Sequence, residues 1–246
     1  MLRTILIILW IAGYLLALFP VFLFELALHF ISREDSERQC QYLIRFMMKV
    51  ALFLAGTRLT VKGRENVPEE GGVLFVPNHR SYFDFVTTVS CICPLYNVGK
   101  KELLYPPVVG WWIWLIGTLF LDRSSAKAGL EVIRDATELV KKGKRVLIYP
   151  EGTRNKGAME ELLPFHEGSF KISLWSGCRI IPVALLNTRD IYEAHRPFIR
   201  AADVTIVFGT PIDPAALAPE ERKHLGVHVR KVITDMILEE EGKKNG

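Results

Sequence analysis

The chain has few cysteines, and their spacing fits neither a zinc site nor a disulfide framework. Four cysteines are spread over 246 residues, and Cys91-x-Cys93 lacks a second pair. A chain of this length can bury enough apolar surface to fold without disulfides. The sequence therefore predicts free thiols and a function that needs no metal or redox cofactor. The thiols are those of Cys40, Cys91, Cys93 and Cys178.

The chain also lacks a dense basic stripe, an internal repeat and a low-complexity linker. Its formal net charge is +4, and its 31 lysines and arginines are dispersed along the sequence. This distribution argues against a nucleic-acid-binding module, which concentrates positive charge on one face. A modest positive charge suits an anionic surface such as a membrane.

Charge is absent altogether from one long N-terminal segment. Residues 4–24 contain no charged side chain, and a helix of that length would be about 30 Å long, close to the thickness of the bilayer hydrocarbon. The run exceeds the apolar core of a usual signal peptide and lacks a clear small-residue cleavage site. We therefore predict membrane attachment, with residues 1–56 as anchoring helices and residues 57–246 as the catalytic domain.

Two forms of anchor fit this segment. Pro20 and Glu25 interrupt a simple spanning helix, and a charged break at residues 33–38 precedes an amphipathic helix candidate at residues 42–55. One form is a single spanning helix. The other is a two-helix anchor that enters one leaflet and returns. Basic residues flank the apolar run on both sides, so they favour a cytosolic catalytic domain on an inner or cytoplasmic membrane only modestly.

Beyond the anchor, short apolar runs alternate with helical patterns, which predicts a single α/β domain with a mixed sheet. Buried strands are expected at residues 73–77, 96–98, 117–121, 145–150, 179–185 and 204–208. Ser124 is expected to cap a helix that continues to about Lys142 and stops at Gly143. A last helix is expected to begin near Pro219, and the charged tail at residues 239–246 is expected to fray.

A histidine and an aspartate follow the first of these strands, in Asn78-His79-Arg80-Ser81-Tyr82-Phe83-Asp84. Positions five apart point about 140° away from each other on a helix, so the two cannot share one helical face. The workable geometry places His79 in a loop and Asp84 in the first turn of a helix, with the carboxylate on Nδ1 and Nε2 left as a base. The alternative is that Ser81 and Asp84 form only a capping box.

A second polar cluster, Glu151-Gly152-Thr153-Arg154-Asn155, follows another strand. Gly152 would let the backbone approach a ligand, Thr153 offers a hydroxyl, and Arg154 offers a planar fork that suits two phosphate oxygens. This cluster has the chemistry of an anion site.

Taken in order, the segments resemble the lysophospholipid and glycerol-phosphate acyltransferase family, most closely its bacterial 1-acylglycerol-3-phosphate acyltransferases. Four motifs carry the resemblance and span about the middle half of the chain. They are Asn78-His79 with Asp84, Gly117 to Arg123, Tyr149-Pro150-Glu151-Gly152-Thr153-Arg154, and Ile181-Pro182-Val183-Ala184-Leu185.

The resemblance implies transfer of a fatty acyl group from a thioester of coenzyme A or acyl carrier protein to a glycerol hydroxyl. In that reaction His79 removes the hydroxyl proton and Asp84 holds the imidazole tautomer. The motif contains no cysteine nucleophile, and Ser81 suits capping, so direct transfer is favoured over a covalent acyl-enzyme.

The same resemblance implies functions for other residues. Arg123, Glu151, Gly152, Thr153 and Arg154 would shape the acceptor site, with Lys101 as a further phosphate ligand. Pro182 would support the acyl end, although an ordinary core strand explains it equally well. Trp111 and Trp112 would line an acyl groove or reach the membrane interface, with core packing as the alternative.

Two positions depart from the family pattern. His166 and Glu167 stand where relatives often carry lysine, which places a carboxylate where a cation is usual. Arg80 stands where glutamine is common, and it would either lower the pKa of His79 or contact an anion.

The sequence thus predicts an O-acyltransferase that acts on the sn-2 hydroxyl of lysophosphatidic acid and makes phosphatidic acid at a membrane. Three alternatives remain at this point. The acceptor could be glycerol-3-phosphate, another lysophospholipid or an amino-acid lipid; the protein could be a hydrolase; or it could be a membrane-anchored lipid-phosphate binding module without catalysis.

Overall fold

A mixed sheet forms the centre of the protein, as the sequence predicts, and it has seven strands, one more than predicted. The computed structural model describes residues 1–122 and 124–245. In spatial order the strands are β1, β7, β6, β2, β5, β3 and β4. The strands from β6 to β4 are parallel, whereas β7 runs antiparallel to β6 and pairs in parallel with β1. Their bounds are Arg58–Lys62 (β1), Val73–Pro77 (β2), Tyr96–Lys100 (β3), Leu119–Leu121 (β4), Arg145–Leu147 (β5), Ile180–Leu186 (β6) and Asp203–Phe208 (β7).

The central strands are buried on both faces because helices cover both sides of the sheet. Side chains alternate along β2, so Val73 and Phe75 join one core while Leu74 and Val76 join the other. Such strands are continuously apolar rather than alternating, as in most parallel sheets.

Nine α-helices surround this sheet in the described residues. They are Leu2–Ala17 (α1), Phe19–Ile31 (α2), Arg33–Ala55 (α3), Phe83–Cys91 (α4), Pro107–Leu115 (α5), Ala126–Lys141 (α6), Lys171–Ser176 (α7), Pro219–Lys223 (α8) and Leu225–Asn245 (α9). Helices α6, α7 and α9 pack on one face of the sheet, and α4 packs on the other.

The uncharged N-terminal run is bent rather than continuous. It divides at Leu18 into α1 and α2, whose axes differ by 56°. Pro20 lies in the first turn of α2, where its missing N–H is tolerated, whereas inside one long helix its ring would clash with the preceding turn. Within the described residues no single helix has both the length and the hydropathy of a membrane span, but the bent pair meets both criteria together.

Several sequence predictions need correction. The charged segment at residues 33–38 is not a break, because it forms the first turns of α3. The carboxylates of Glu34 and Asp35 are favourable there, next to the positive end of the helix dipole. Ser125, not Ser124, caps α6 by accepting from the Ala128 N–H at 3.2 Å.

The structure also differs from the sequence predictions in its C-terminal part and at one edge of the sheet. The last helix is divided near His224 into α8 and α9, and the tail expected to fray is helical as far as Asn245. Strand β1 was not predicted because its side chains are mostly exposed at the edge of the sheet and lack an apolar pattern.

Candidate active site

Polar residues from several parallel strands meet at the carboxyl edge of the sheet, where ligands bind in open α/β folds. His79 follows β2, Glu151 follows β5, and Thr188 follows β6. These three strands are neighbours, with β2 in the middle. Lys101 follows β3, the next strand along. The sheet therefore brings together side chains that are far apart in the sequence.

His79 and Asp84 adopt the geometry expected from their spacing. His79 lies in the loop after β2, Asp84 lies in the first turn of α4, and Asp84 Oδ2 is 2.8 Å from His79 Nδ1. Asp84 is fully buried, whereas the side chain of His79 keeps 21% of its surface exposed. The Tyr149 ring packs 4.3 Å from the imidazole, between ring centroids. With Nδ1 facing a carboxylate, Nε2 is the nitrogen that can take a proton from a ligand.

The backbone of this loop is held by side-chain oxygens at five consecutive N–H groups. Three carboxylates and one hydroxyl accept these hydrogen bonds, so the loop is fixed before any ligand binds. The donors are His79 (2.6 Å to Glu151 Oε1), Arg80 and Ser81 (2.5 and 2.7 Å to Asp84 Oδ2), Tyr82 (2.9 Å to Glu193 Oε1) and Phe83 (2.9 Å to Ser81 Oγ). The Ser81 N–H donates to Asp84 Oδ2 as in the expected capping box, but Tyr82 is the N-cap of α4 and no side chain caps the helix there. Half of the box therefore forms beside the His79 contact.

Two asparagines connect the loop to its neighbours. Asn78 is buried, and its side chain hydrogen-bonds the backbone of Leu185 as a neighbouring strand would. It accepts from the Leu185 N–H at 2.8 Å and donates to the Leu185 carbonyl at 3.0 Å. Asn155 donates its N–H to the His79 carbonyl at 2.7 Å. The loop of His79 is thus tied to β6 on one side and to the segment after β5 on the other.

Glu151 lies beneath the loop rather than on an open surface. It is 3% exposed, and its second oxygen accepts from the Leu163 N–H at 3.1 Å. Burial raises the pKa of the Glu151 carboxyl above its ordinary value. Both of its oxygens therefore contact backbone N–H groups of the protein.

Arg80 contacts neither His79 Nε2 nor an open anion site. Its guanidinium is buried and donates to the Gly157 carbonyl at 2.7 Å and to the Ala158 carbonyl. Arg189 donates to the neighbouring Lys156 carbonyl at 2.8 Å. Burial lowers the pKa of Arg80, and the charge of Arg189 lowers it further. Arg80 therefore holds the segment that follows the Arg154 motif.

Arg154 lies beside the loop of His79 and keeps 30% of its side-chain surface exposed. Its guanidinium carbon is 3.7 Å from the centre of the Tyr82 ring, and its NH1 donates to Glu193 Oε1 at 3.3 Å. A guanidinium has five N–H donors, so the remaining ones can bind an anion.

The other residues predicted for the acceptor site differ in backbone conformation and in exposure. Gly152 adopts a left-handed backbone with φ of 66°, which explains glycine there, and Thr153 is exposed. Lys101 is exposed and pairs with Asp122 at 3.3 Å. Arg123 lies outside the described residues.

The residues predicted for the acyl end lie in two different elements, α5 and β6. Trp111 is half exposed and Trp112 is buried, and both belong to α5, where their rings lie 5.8 and 5.6 Å from the ring of Phe22 in α2. Pro182 lies in the middle of β6, where its carbonyl accepts from the Gly209 N–H at 2.8 Å. Their involvement with an acyl chain stays a prediction.

The unusual carboxylate at Glu167 has a structural partner. Its two oxygens accept from the Gly226 N–H at 3.1 and 3.0 Å, at the start of α9. A carboxylate is favourable at the positive end of a helix, so Glu167 has a reason to be acidic that does not involve the acceptor.

Comparison with known proteins shows the family of this chain. Residues 58–186, slightly more than half of the chain, match the model of a family described as Acyltransferase. A 1-acyl-sn-glycerol-3-phosphate acyltransferase of Borreliella burgdorferi is 31% identical over 78% of this chain and 76% of its own length. The chain belongs to the acyltransferase family. The expected enzyme class, an O-acyltransferase, is confirmed by these relatives.

Two further relatives are acyltransferases of the same kind. The 1-acyl-sn-glycerol-3-phosphate acyltransferase of Escherichia coli strain K12 is 29% identical over 76% of this chain and 75% of its own length. The crystal structure of the 1-acyl-sn-glycerophosphate (LPA) acyltransferase of Thermotoga maritima superposes with a TM-score of 0.71, at 24% identity, over 96% of this chain and 98% of that one. That likeness shows the fold.

Sequence reasoning missed two residues of the acyltransferase site. Thr188 directly follows β6 and donates from its hydroxyl to Asp84 Oδ1 at 2.5 Å. Its position after a predicted strand was the same signal that revealed His79 and Glu151. Glu193 offered no such signal, because it lies in an irregular segment more than 100 residues from the loop that it contacts.

Proposed function

We propose that this acyltransferase transfers a fatty acyl group from an acyl thioester to the sn-2 hydroxyl of lysophosphatidic acid, which gives phosphatidic acid. The observation that carries the proposal is the contact of His79 with an Asp84 carboxylate that is buried and fully hydrogen-bonded. The relatives, which are 1-acyl-sn-glycerol-3-phosphate acyltransferases, support the choice of acceptor.

The reaction follows from the position of the imidazole. His79 Nε2 accepts the proton of the acceptor hydroxyl while the hydroxyl oxygen attacks the thioester carbonyl. The resulting imidazolium is stabilised by Asp84 on Nδ1, and it returns the proton to the sulfur as the tetrahedral intermediate expels the thiol. One ester forms, one thioester breaks, and coenzyme A or the carrier protein leaves as its free thiol. Each proton transfer in this scheme is acid–base chemistry, which needs no metal or redox group.

The acceptor phosphate would bind at Arg154, with Arg123 and Lys101 as further cations and the Gly152-Thr153 turn beside them. Arg154 supports this assignment because it is partly exposed and lies next to the loop of the base. Glu151 would act by holding the loop rather than by touching phosphate, since its two oxygens accept from the His79 and Leu163 N–H groups.

The N-terminal helices would place the enzyme on a membrane. Large apolar side chains are exposed along α1, α2 and α5, among them Leu9, Leu23, Phe24, Val109 and Trp111. Both α1 and α2 pack along α3, and the bend between them favours the anchor that enters one leaflet and returns over a single span. Thioester donors are cytosolic, so the catalytic domain would face the cytosol.

A thioester-consumption assay in liposomes tests the proposal. The assay measures thiol release by the wild type and by His79→Ala, with and without lysophosphatidic acid and with glycerol-3-phosphate and neutral lysolipids as rival acceptors. We expect release that requires lysophosphatidic acid and falls by at least about a thousandfold in the variant. Release without any acceptor would indicate a hydrolase, and preference for a neutral acceptor would contradict the assignment of Arg154.

A further inference from the structure

Glu193 lies where the loop of the base and the proposed phosphate site meet. It opens a short 3₁₀ turn, Glu193–His195, that follows β6, outside all four sequence motifs. Its side chain is only 9% exposed and accepts three hydrogen bonds, from Ser81 Oγ at 2.6 Å, the Tyr82 N–H at 2.9 Å and Arg154 NH1 at 3.3 Å. A single carboxylate thus joins the start of α4 to the arginine.

The second support of Arg154 also depends on Glu193. The Tyr82 ring lies against the guanidinium at 3.7 Å, and the backbone of Tyr82 is held by the carboxylate. Cation–π stacking fixes the plane of an arginine, and an ion pair fixes its rotation within that plane. Without Glu193 the guanidinium would lose its ion pair. The Tyr82 ring on which it stacks would also be held less firmly.

The base is supported by other residues. His79 contacts Asp84, and Asp84 accepts from the Arg80 and Ser81 N–H groups and from the Thr188 hydroxyl. Glu193 takes no part in these four contacts, and it reaches the same loop through the Ser81 hydroxyl and the Tyr82 N–H instead. A change that removes only this charge should therefore affect the arginine more than the histidine.

We propose that Glu193 is a positioning residue for the acceptor phosphate, because it orients Arg154 toward the site in which that phosphate binds. This inference rests on the proposed function, in which Arg154 binds the phosphate of lysophosphatidic acid. Glu193, in the segment after β6, would thereby contribute to the specificity for a phosphate-bearing acceptor.

The first experiment is a double-mutant cycle with Glu193→Gln, Arg154→Ala and the combined variant. Glutamine keeps an oxygen for the Tyr82 N–H but removes the ion pair. We expect Glu193→Gln to raise the KM for lysophosphatidic acid roughly tenfold, the effect of about one charge-assisted contact, with kcat within about twofold of the wild type. In the Arg154→Ala background the same change should leave KM unaltered, because the guanidinium through which Glu193 acts is already absent.

Additive effects on KM, or a fall in kcat at unchanged KM, would overturn the inference, since either result would mean that Glu193 only supports the fold. Glu131→Gln, an exposed change on α6, is the matched control and should leave both constants unaltered.

A binding measurement separates this inference from the proposed function. The Kd for lysophosphatidic acid is measured in the His79→Ala protein with and without Glu193→Gln, so no turnover is needed. A roughly tenfold weaker Kd supports the inference, and an unchanged Kd overturns it. Failure of the proposed function would instead appear as absence of acyl transfer by the wild type.

Discussion

The Thr188 hydroxyl donates to Asp84 Oδ1 at 2.5 Å, and both side chains are buried. The other oxygen of Asp84 contacts His79 and accepts from the Arg80 and Ser81 N–H groups. The carboxylate therefore cannot rotate without breaking several contacts at once, so the imidazole that it holds has a fixed orientation. Thr188 comes from the segment that follows β6, so this contact joins the carboxylate to a neighbouring part of the sheet edge.

Thr188→Val should lower kcat with little change in KM. Valine has nearly the same shape, so the change removes the hydroxyl donor and leaves Asp84 Oδ1 buried without a partner. A lost hydrogen bond to a charged group costs about 1.5–3 kcal/mol, which corresponds to a roughly tenfold to hundredfold lower rate if the loss is felt in the transition state. Steady-state kinetics on lysophosphatidic acid measures the effect.

Thr188→Ser is the control for this change, because serine keeps the donor. It should retain most of the activity. Equal losses in the valine and serine variants would show that the methyl group, and not the hydroxyl, is what the site needs.

Arg80→Lys should loosen the segment after Arg154 while preserving positive charge. Lysine lacks the planar fork with which Arg80 reaches the Gly157 and Ala158 carbonyls. We expect faster hydrogen exchange at residues 156–163 and more rapid proteolysis there, with a modest fall in kcat. Unchanged hydrogen exchange would show that Arg80 does not hold this segment. Arg134→Lys, on the exposed side of α6, is the control.

The structure also shows what the sequence could and could not predict about this site. His79 and Glu151 each follow an apolar strand, and parallel strands with polar residues at their carboxyl ends predict a common site. The orientation of Arg80 was undetermined because it depends on the carbonyls of a segment about 77 residues away, and no local pattern encodes that contact. The break at Leu18 was signalled by Pro20, but its angle depends on packing against α3.

Glu151→Gln should destabilise the protein. Glutamine replaces one acceptor oxygen with an amide group, so either the His79 or the Leu163 N–H loses its partner inside the protein. An unsatisfied buried donor costs about 1–3 kcal/mol, and urea unfolding followed by tryptophan fluorescence would measure the difference in the free energy of unfolding.

The same variant tests the raised pKa of Glu151. Burial raises this pKa, so between the ordinary glutamate value and the raised one the folded protein holds a proton that the unfolded chain has released. The unfolded state then binds fewer protons, and the free energy of unfolding decreases as pH rises through that interval. As pH rises above the ordinary pKa of a glutamate, Glu151→Gln should therefore lose less stability than the wild type. Parallel pH profiles for the two proteins would contradict this account.

The exposed apolar side chains of α2 should control attachment to the membrane. Leu23 and Phe24 are 50% and 62% exposed, and neither contributes to a buried core cluster. Leu23→Asp with Phe24→Asp places two charges where the proposed anchor meets lipid, at a cost of about 2 kcal/mol or more for each charge that enters the hydrocarbon. We expect co-flotation with anionic vesicles to fall at least tenfold, while activity on short-chain soluble substrates in detergent is retained. Val227→Asp, a change at a 64% exposed position on α9, is the matched control and should float like the wild type. If the α2 variant still floated normally, the enzyme would have to bind membranes through another surface, and the exposed face of α5 would be the next to substitute.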